Sequence, residues 1–480
     1  MFRDNTALII LIIVVVYLLA AYTVTLAIRR SRTPQGATAW SIAIISLPLL
    51  VLPLYWVFGR SKFHGYVESH RVGNEEVKEE AKHILADIAK LAAAPAEGLA
   101  PLYHLVRELT NLPFLLGNTV DLLVDGEQTF ASMLEAIRGA KEYVLIQFYI
   151  YRDDGIGKRI KDALLERDEA GVRVYFLYDE IGSSTMPQSF KTELIDHGVE
   201  VSGFKTTKGR GNRFQINFRN HRKLLIVDGD CVFVGGLNVG DDYLGLYPSV
   251  GPWRDTHVKV AGPAVQAAQV SFVKDWYWAA EQILPLNWQP KLSNGESVVA
   301  VVHTGPADLA TLATLYHVAA FNSARERIWI ANPYFVPDEP TAKALELAAL
   351  RGVDVRIILP ANNDNRLIQL AATTYVAQLQ HSGVLFFSYM SGEKGFLHQK
   401  TFLVDDRLCA IGTTNLDNRS LHVNFECSAL IVDEEFARRV EEMLLNDFKR
   451  SSLIENPVFE GKSRWYTLAA KAANLGAPML

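Results

Sequence analysis

Three kinds of hydrophobic pattern follow one another along the chain. From Ala7 to Ile28 the sequence is one apolar run, with no charge until Arg29, Arg30 and Arg32. At about 1.5 Å of rise per residue, a helix of that length crosses a bilayer. A second apolar run covers Ala37 to Phe58, so two transmembrane helices are expected. The first run is long for the apolar core of a signal peptide, and a second follows at once, which argues against cleavage. Pro48 and Pro53 are expected to kink the second helix, with neighbours or water satisfying the released carbonyls. Trp40, Tyr55 and Trp56 stand where interfacial aromatics belong. Arg29, Arg30 and Arg32 occupy the short connection, against Arg3, Arg60, Lys62 and Arg71 on the other side, a count that slightly favours a cytoplasmic body.

The second pattern has a helical period. Val77, Ala81, Ile84, Leu85, Ile88 and Leu91 recur on one face, opposite Glu76, Glu79, Glu80, Lys82 and Asp87. A helix lying on a membrane surface would carry a basic polar face, and this one is acidic, so a helix packed on the body is expected. Ala92 to Pro101, with Pro95 and Gly98, reads as a linker.

The third pattern alternates helical periodicity with short β-branched runs, and it occurs twice. Tyr143 to Ile150 follows the helical stretch Thr129 to Lys141, just as Arg327 to Phe335 follows Ala310 to Ala324. A helix, a glycine and a strand at Ala170 to Leu177 match Arg351 to Ile358, and His197 to Val201 matches Ser382 to Phe386. Such αβ junctions belong to βαβ units with a buried sheet, and a repeat this long is a duplicated domain. The expected organisation is a two-helix anchor over 1–62 and an amphipathic helix with linker over 63–118. Two tandem α/β domains with mixed, mostly parallel sheets follow over 119–295 and 296–480.

Chemistry recurs with the repeat. Both copies read H-x-K-x4-D, which supplies a candidate catalytic set of His221, Lys223, Asp228, His398, Lys400 and Asp405. Residues two apart on a strand face the same way, so each histidine shares a face with its lysine. The aspartates lie roughly 16 Å beyond the lysines on a strand and read as braces of the fold. Asn238 and Asn415 each fall 17 residues after their histidine, behind small residues at Gly235, Gly236, Gly412, Thr413 and Thr414. Amide donors there suit an oxyanion. Asp255 and Glu426 follow, as acids able to fix a ring nitrogen.

One such pair would be a surface histidine beside a solvated lysine; two copies with matched downstream residues argue against that. A metal site fails on chemistry, because an ammonium has no lone pair and no third ligand sits at ligand spacing, so no metal or cofactor is expected. The set suits a phosphodiester: lysines on non-bridging oxygens, one imidazole attacking phosphorus to form a phosphohistidine, the other protonating the leaving alcohol.

Composition narrows the class further. The formal charge is −5, from 48 basic and 53 acidic residues, so a nucleic-acid substrate, which needs a long basic track, is not expected. Cys231, Cys409 and Cys427 are too few and too scattered for a disulfide framework. Basic residues do gather at Lys205, Lys208, Arg210, Arg213, Arg219 and Arg222, spaced by Gly209 and Gly211 and interleaved with Phe214, Ile216 and Phe218. This is either a solvated loop or a patch drawing anionic head groups to the site. Arg464, Trp465, Tyr466, Leu468 and Lys471 are expected in a packed terminal helix, with an interfacial contact as the alternative.

From about Asp121 to its end the sequence resembles the phospholipase D superfamily, whose twin H-x-K-x4-D signature both copies match. The two apolar runs, the segment Pro252 to His257, Asn332 to Pro337 and Asn415 to Ser420 make it similar, more narrowly, to bacterial cardiolipin synthases. That resemblance implies an inner-membrane, multi-pass transferase with phosphatidylglycerol and other anionic phospholipids as partners, joining two phosphatidylglycerols into cardiolipin and glycerol without metal. Phosphatidylethanolamine is a possible second lipid, and nothing points to protein partners. The resemblance also implies His221 as nucleophile, His398 as general acid, and Asp255 and Glu426 orienting the rings. Gly412-Thr413-Thr414 departs from the Gly-Ser or Gly-Gly of many relatives, which touches the geometry of the phosphate cradle. A phospholipase D-type lipid hydrolase, another phosphatidyltransferase of the same superfamily and an inactive lipid-binding scaffold are the alternatives.

Overall fold

The computed structural model describes residues 2–31, 33–59, 62–63, 65–69, 78–209, 212, 215–308, 310–390, 392, 394–455 and 457–479. Arg32, Arg60, Arg71, Glu76, Val77, Arg210, Gly211, Arg213 and Phe214, all used above, lie outside them. The chain forms two compact units, one of residues 1–68 with 206–218, the other of 69–205 with 219–480.

In the first unit, α1 (Phe2–Arg30) is continuous and ends on Arg29 and Arg30. It is, among the described residues, the one helix long and apolar enough to cross a membrane. The second apolar run differs from expectation: it is split into α2 (Pro34–Ser46) and α3 (Pro48–Phe58). The cause is local. Pro48 has no N–H and drives the residue before it out of helical geometry, and Leu47 sits at φ −137°, ψ 60°. Pro53, by contrast, is accommodated inside α3. Thr33 caps α2, its hydroxyl accepting from the Gly36 N–H at 3.1 Å. Ala20, Leu26, Ala27, Ile44, Val51, Leu52 and Tyr55 pack the three helices together, with Trp40 edge-on to Tyr55 at 5.3 Å. Phe63 stacks on Phe218 at 5.3 Å.

The second unit begins with the helix Lys78–Ala89, whose Ile88 is buried. A further helix, Ala100–Thr110, begins inside the expected linker, with Pro101 in its first turn, where a missing N–H costs nothing. It buries Leu102, Tyr103 and Val106, and stacks Tyr103 on Phe114 at 4.1 Å.

The body is one mixed sheet with helices on its faces. The first half contributes β1 (Leu115–Val124), β2 (Tyr143–Phe148), β3 (Arg173–Asp179), β4 (Glu200–Phe204), β5 (Leu224–Val227), β6 (Cys231–Gly235), β7 (Trp253–Arg254) and β8 (Thr256–Ala261). The second contributes β9 (Ser297–Thr304), β10 (Arg327–Ala331), β11 (Phe335–Val336), β12 (Asp354–Pro360), β13 (Leu385–Tyr389), β14 (Phe396–Leu397), β15 (Thr401–Val404), β16 (Leu408–Gly412), β17 (Leu416–Asp417), β18 (Glu426–Val432) and β19 (Ser451–Leu453). β1 pairs with β9 and makes the two halves one 15-stranded sheet.

The expectation of mostly parallel pairing is corrected. Only β2–β3, β3–β4, β10–β12 and β12–β13 are parallel within that sheet. The motif strands turn straight back, β5 into β6 and β15 into β16, and a tight turn can join only antiparallel neighbours. In the three-residue connection Asp228 to Asp230 of the first hairpin, Asp228 (φ 54°) and Gly229 (φ 68°) take the left-handed conformation, which lets the chain reverse at once.

Candidate active site

Each motif histidine lies in extended chain just ahead of its strand, and the opposite half of the body holds that stretch in place. The His221 N–H donates to the Phe425 carbonyl at 2.9 Å, and the His398 N–H to the Arg254 carbonyl at 2.8 Å. The short strands β7 and β14 pair in parallel, Trp253 opposite Phe396. The residue after each backbone acceptor is the acid. His221 Nδ1 therefore meets Glu426 Oε2 at 2.9 Å, and His398 Nδ1 meets Asp255 Oδ2 at 2.7 Å. The partners are exchanged, so neither half alone holds a complete histidine–carboxylate pair. With Nδ1 bonded to a carboxylate, each ring keeps Nε2 for chemistry.

Both acids are fully buried and hydrogen-bonded beyond their histidine. Glu426 accepts from the Thr413 hydroxyl at 2.5 Å and the Asn424 amide at 3.3 Å. Asp255 accepts from the Thr256 N–H at 2.8 Å and Trp253 Nε1 at 3.4 Å. Lys223 Nζ donates to the His221 carbonyl at 2.8 Å, and Lys400 Nζ to the His398 carbonyl. Tyr149 lies edge-on to the His221 ring at 5.0 Å, and the Trp253 ring is 5.2 Å from that of His398.

The electrostatics describe a site short of negative charge. Burial, with Lys223 and Lys400 added, lowers His221 to about 4 against the pull of Glu426. Burial and then Lys400, Lys223 and His221 hold His398 well below the usual histidine range. Burial likewise takes Lys223 down to about 7 and Lys400 to about 8. These cross-effects mean that all four groups feel one another. The acids differ: burial raises Asp255 despite Lys400, whereas His221, Lys223 and Thr413 outweigh burial at Glu426 and lower it. An anionic phosphate between the lysines would relieve the excess positive charge and favour protonated imidazole.

The remaining candidates divide. Asp228 and Asp405, grouped above with the catalytic set, each tie down the backbone at the start of a neighbouring strand. Asp228 accepts the N–H groups of Lys141, Glu142 and Tyr143 at 2.8 to 2.9 Å. Asp405 does the same for Arg325, Glu326 and Arg327 at 2.9 to 3.2 Å. Asn238 and Asn415, expected to act alike, do not. Asn238 Oδ1 accepts from the Ile150 N–H at 3.0 Å and its amide donates to the Tyr243 hydroxyl at 2.9 Å. Among the described residues, Asn415 Oδ1 is buried with no partner.

Arg222, read above as part of a basic cluster in a solvated loop or head-group patch, is instead buried: it grips Asp275 at 2.6 Å and donates to the Glu426 carbonyl at 3.1 Å. Other supporting residues escaped the sequence reading. Gln399, the counterpart of Arg222, donates to Asp447 at 2.8 Å. Asp447 also takes Arg254 in a bidentate pair at 2.7 and 2.9 Å. The available signal was a lone carboxylate on the apolar face of each helix, Val265–Ala280 and Glu434–Lys449.

Known proteins share this plan. The family profile described as "Cardiolipin synthase, PLD-like domain" matches residues 133–272 and 318–448. Cardiolipin synthase A of Pseudomonas aeruginosa (strain LESB58) is 45% identical over 458 residues, 95% of this chain and 92% of that one. Cardiolipin synthase A of Pseudomonas syringae pv. syringae (strain B728a) is 41% identical over 472 residues, 97% of each. Among solved structures, phosphatidylserine synthase of Haemophilus influenzae Rd KW20 superposes with a TM-score of 0.61 at 16% identity, covering 79% of this chain and all of that one, a likeness of fold. Two profile segments centred on the two motifs, and relatives this similar over nearly the whole length, place the chain in the cardiolipin synthase family of proteins with phospholipase D-like domains.

Proposed function

We propose that the protein is a membrane-bound phosphatidyltransferase that joins two phosphatidylglycerol molecules into cardiolipin and releases glycerol. The observation that carries this reading is the pair of histidines with exchanged acids beside two buried lysines, in a chain whose α1 is long and apolar enough for a bilayer. Lys223 and Lys400 hold the non-bridging oxygens of the first phosphodiester. His221 Nε2 attacks phosphorus, the P–O bond to glycerol breaks, and His398 gives its proton to the departing oxygen. The terminal hydroxyl of a second phosphatidylglycerol then loses its proton to His398 and attacks phosphorus. The P–N bond breaks, and His221 is regenerated.

Glu426 supports the assignment of His221 as nucleophile. A carboxylate held ionised accepts Nδ1–H and leaves electron density on Nε2. Asp255 orients His398, Asn415 adds a polar group beside the phosphate, and Asn238 shapes the turn. The two catalytic domains, over 119–295 and 296–480, are cytoplasmic. α2 and α3, packed on α1, together return the chain through the bilayer as a broken second pass. The test is purified full-length protein in phosphatidylglycerol vesicles, with products identified by mass spectrometry. Cardiolipin with glycerol in equal amount is expected; phosphatidic acid instead would make it a hydrolase.

A further inference from the structure

The helix Arg464–Asn474 and the turn after it have two apolar faces, of which the body uses one. Ala473 and Ala477 are buried against Val336, Ile368 and Ala371, Ala470 is buried with its carbonyl facing the Thr374 hydroxyl at 3.4 Å, and Ser463 caps the helix through the Tyr466 N–H at 3.1 Å. On the other side Trp465 is 79%, Leu468 56%, Leu475 84% and Met479 49% exposed. A spacing of three puts Trp465 and Leu468 on one helix face, and Leu475 and Met479 continue the exposed apolar surface in the cap and short 3-10 turn that follow. The helix carries Arg464 and Lys471 and no acidic residue. A wide apolar stripe with an indole and a basic flank is costly to leave in water, and its chemistry is that of an interfacial helix on anionic lipid.

Its place in the fold adds to this. The buried face packs in a cluster that includes Tyr334, whose ring stands 6.5 Å from that of His398. The Tyr334 hydroxyl donates to Asp364 at 2.8 Å, and three residues on, Leu367 is again 48% exposed. The stripe therefore flanks the end of the sheet that carries the site.

We propose that this face, Trp465 to Met479 with Leu367, is a second membrane contact that seats the rim of the site on an anionic lipid surface, so that a diacyl lipid reaches the histidines without leaving the bilayer. The proposal rests on the lipid reading above.

It is tested on the full chain in vesicles of phosphatidylglycerol and brominated phosphatidylcholine. A polarity-sensitive fluorophore is attached at Leu468→Cys in a Cys231→Ser background, the other two cysteines being buried. The control carries it at Leu350→Cys, exposed at the end of the helix Glu339–Leu350 that leads into β12, the strand end away from the site. The expected result is quenching at least threefold stronger at 468 than at 350. In parallel, Trp465→Ser with Leu468→Ser should slow cardiolipin formation threefold or more in vesicles and leave it unchanged on detergent-dispersed lipid. Equal quenching at both positions overturns the proposal even if cardiolipin forms. Strong quenching at 468 with phosphatidic acid as product supports the contact and removes the transferase.

Discussion

The His221 side and the His398 side of the site are built alike and charged differently. Both rings offer Nδ1 to a buried carboxylate from the other half, and both lysines bond the carbonyl of their own histidine. The difference lies one layer out. Thr413 donates its hydroxyl to Glu426, whereas the corresponding residue of the first half is Gly236, where even a Cβ would sit 2.0 Å from Asp255 Oδ1. Glu426 is held ionised and Asp255 is pushed toward its neutral form. A duplicated motif can thus place identical side chains in unequal surroundings: His221 and Lys223 lower Glu426, and the Thr413 hydroxyl, which has no counterpart at Gly236, adds to them.

Removing the rings should break the comparison most severely. His221→Ala is expected to lose about 10³-fold or more in kcat on any substrate. His398→Ala is expected to lose about 10²- to 10⁴-fold on phosphatidylglycerol, yet to recover most of its first step on a phosphatidyl ester of p-nitrophenol, whose leaving group needs no proton. Equal recovery in both variants, read by burst kinetics, would show that the roles are not divided this way.

Next in size are the exchanged acids and their donors. Glu426→Gln should cost about 10- to 10³-fold, and Thr413→Val about tenfold, the worth of a hydrogen bond to a charged group. If Thr413→Val leaves kcat untouched, the hydroxyl does not set the asymmetry.

The lysines set a pH limit. In the free protein Lys223 loses its proton near 7 and Lys400 near 8. Both are charged below those values, so binding of a non-cleavable phosphodiester lipid should weaken as pH rises through 7 to 8. Calorimetric titration across pH 6 to 9 checks the sign; affinity that rises over this range contradicts it.

The smallest effects separate the asparagines. Asn238→Ala should cost about 1–2 kcal/mol of stability through its lost bonds to Ile150 and Tyr243. Asn415→Ala removes a buried oxygen that has no partner among the described residues, so it should cost less stability than Asn238→Ala and lower activity instead. Thermal melts beside rate measurements distinguish the two.

Much of this was visible in the residues themselves. His221, Lys223, His398 and Lys400 stood out because duplication repeats their spacing, and the two bracing aspartates because strand geometry puts them far from the lysines. The pairing of His221 with Glu426 and of His398 with Asp255 was not legible. Those partners lie 205 and 143 residues apart, and no periodicity reports which half supplies which acid. The unequal use of Asn238 and Asn415 was hidden for the same reason, since it depends on Tyr243 and on a backbone N–H elsewhere in the fold. Asp275 and Asp447 sit on the apolar faces of their helices, where the hydrophobic period alone draws the eye, although each is the lone carboxylate there. The break at Leu47 was not legible because Pro48 and Pro53 look equivalent in the sequence, whereas only Pro48 follows the end of a helix and Pro53 is accommodated within one. The antiparallel hairpins were overlooked because the αβ junctions mark only the parallel strands.

The central claim is that the exchanged acids make His221 the nucleophile of a single site shared by both halves. Its most direct test is rapid acid-free quenching of the His398→Ala protein with the phosphatidyl ester of p-nitrophenol, whose leaving group needs no proton, followed by peptide mass spectrometry of the histidine adduct. A phosphatidyl group on His221, absent when Glu426→Gln is added, is the predicted result. An adduct on another residue of this variant, or an unmodified His221 under conditions where the first product is released, would contradict it.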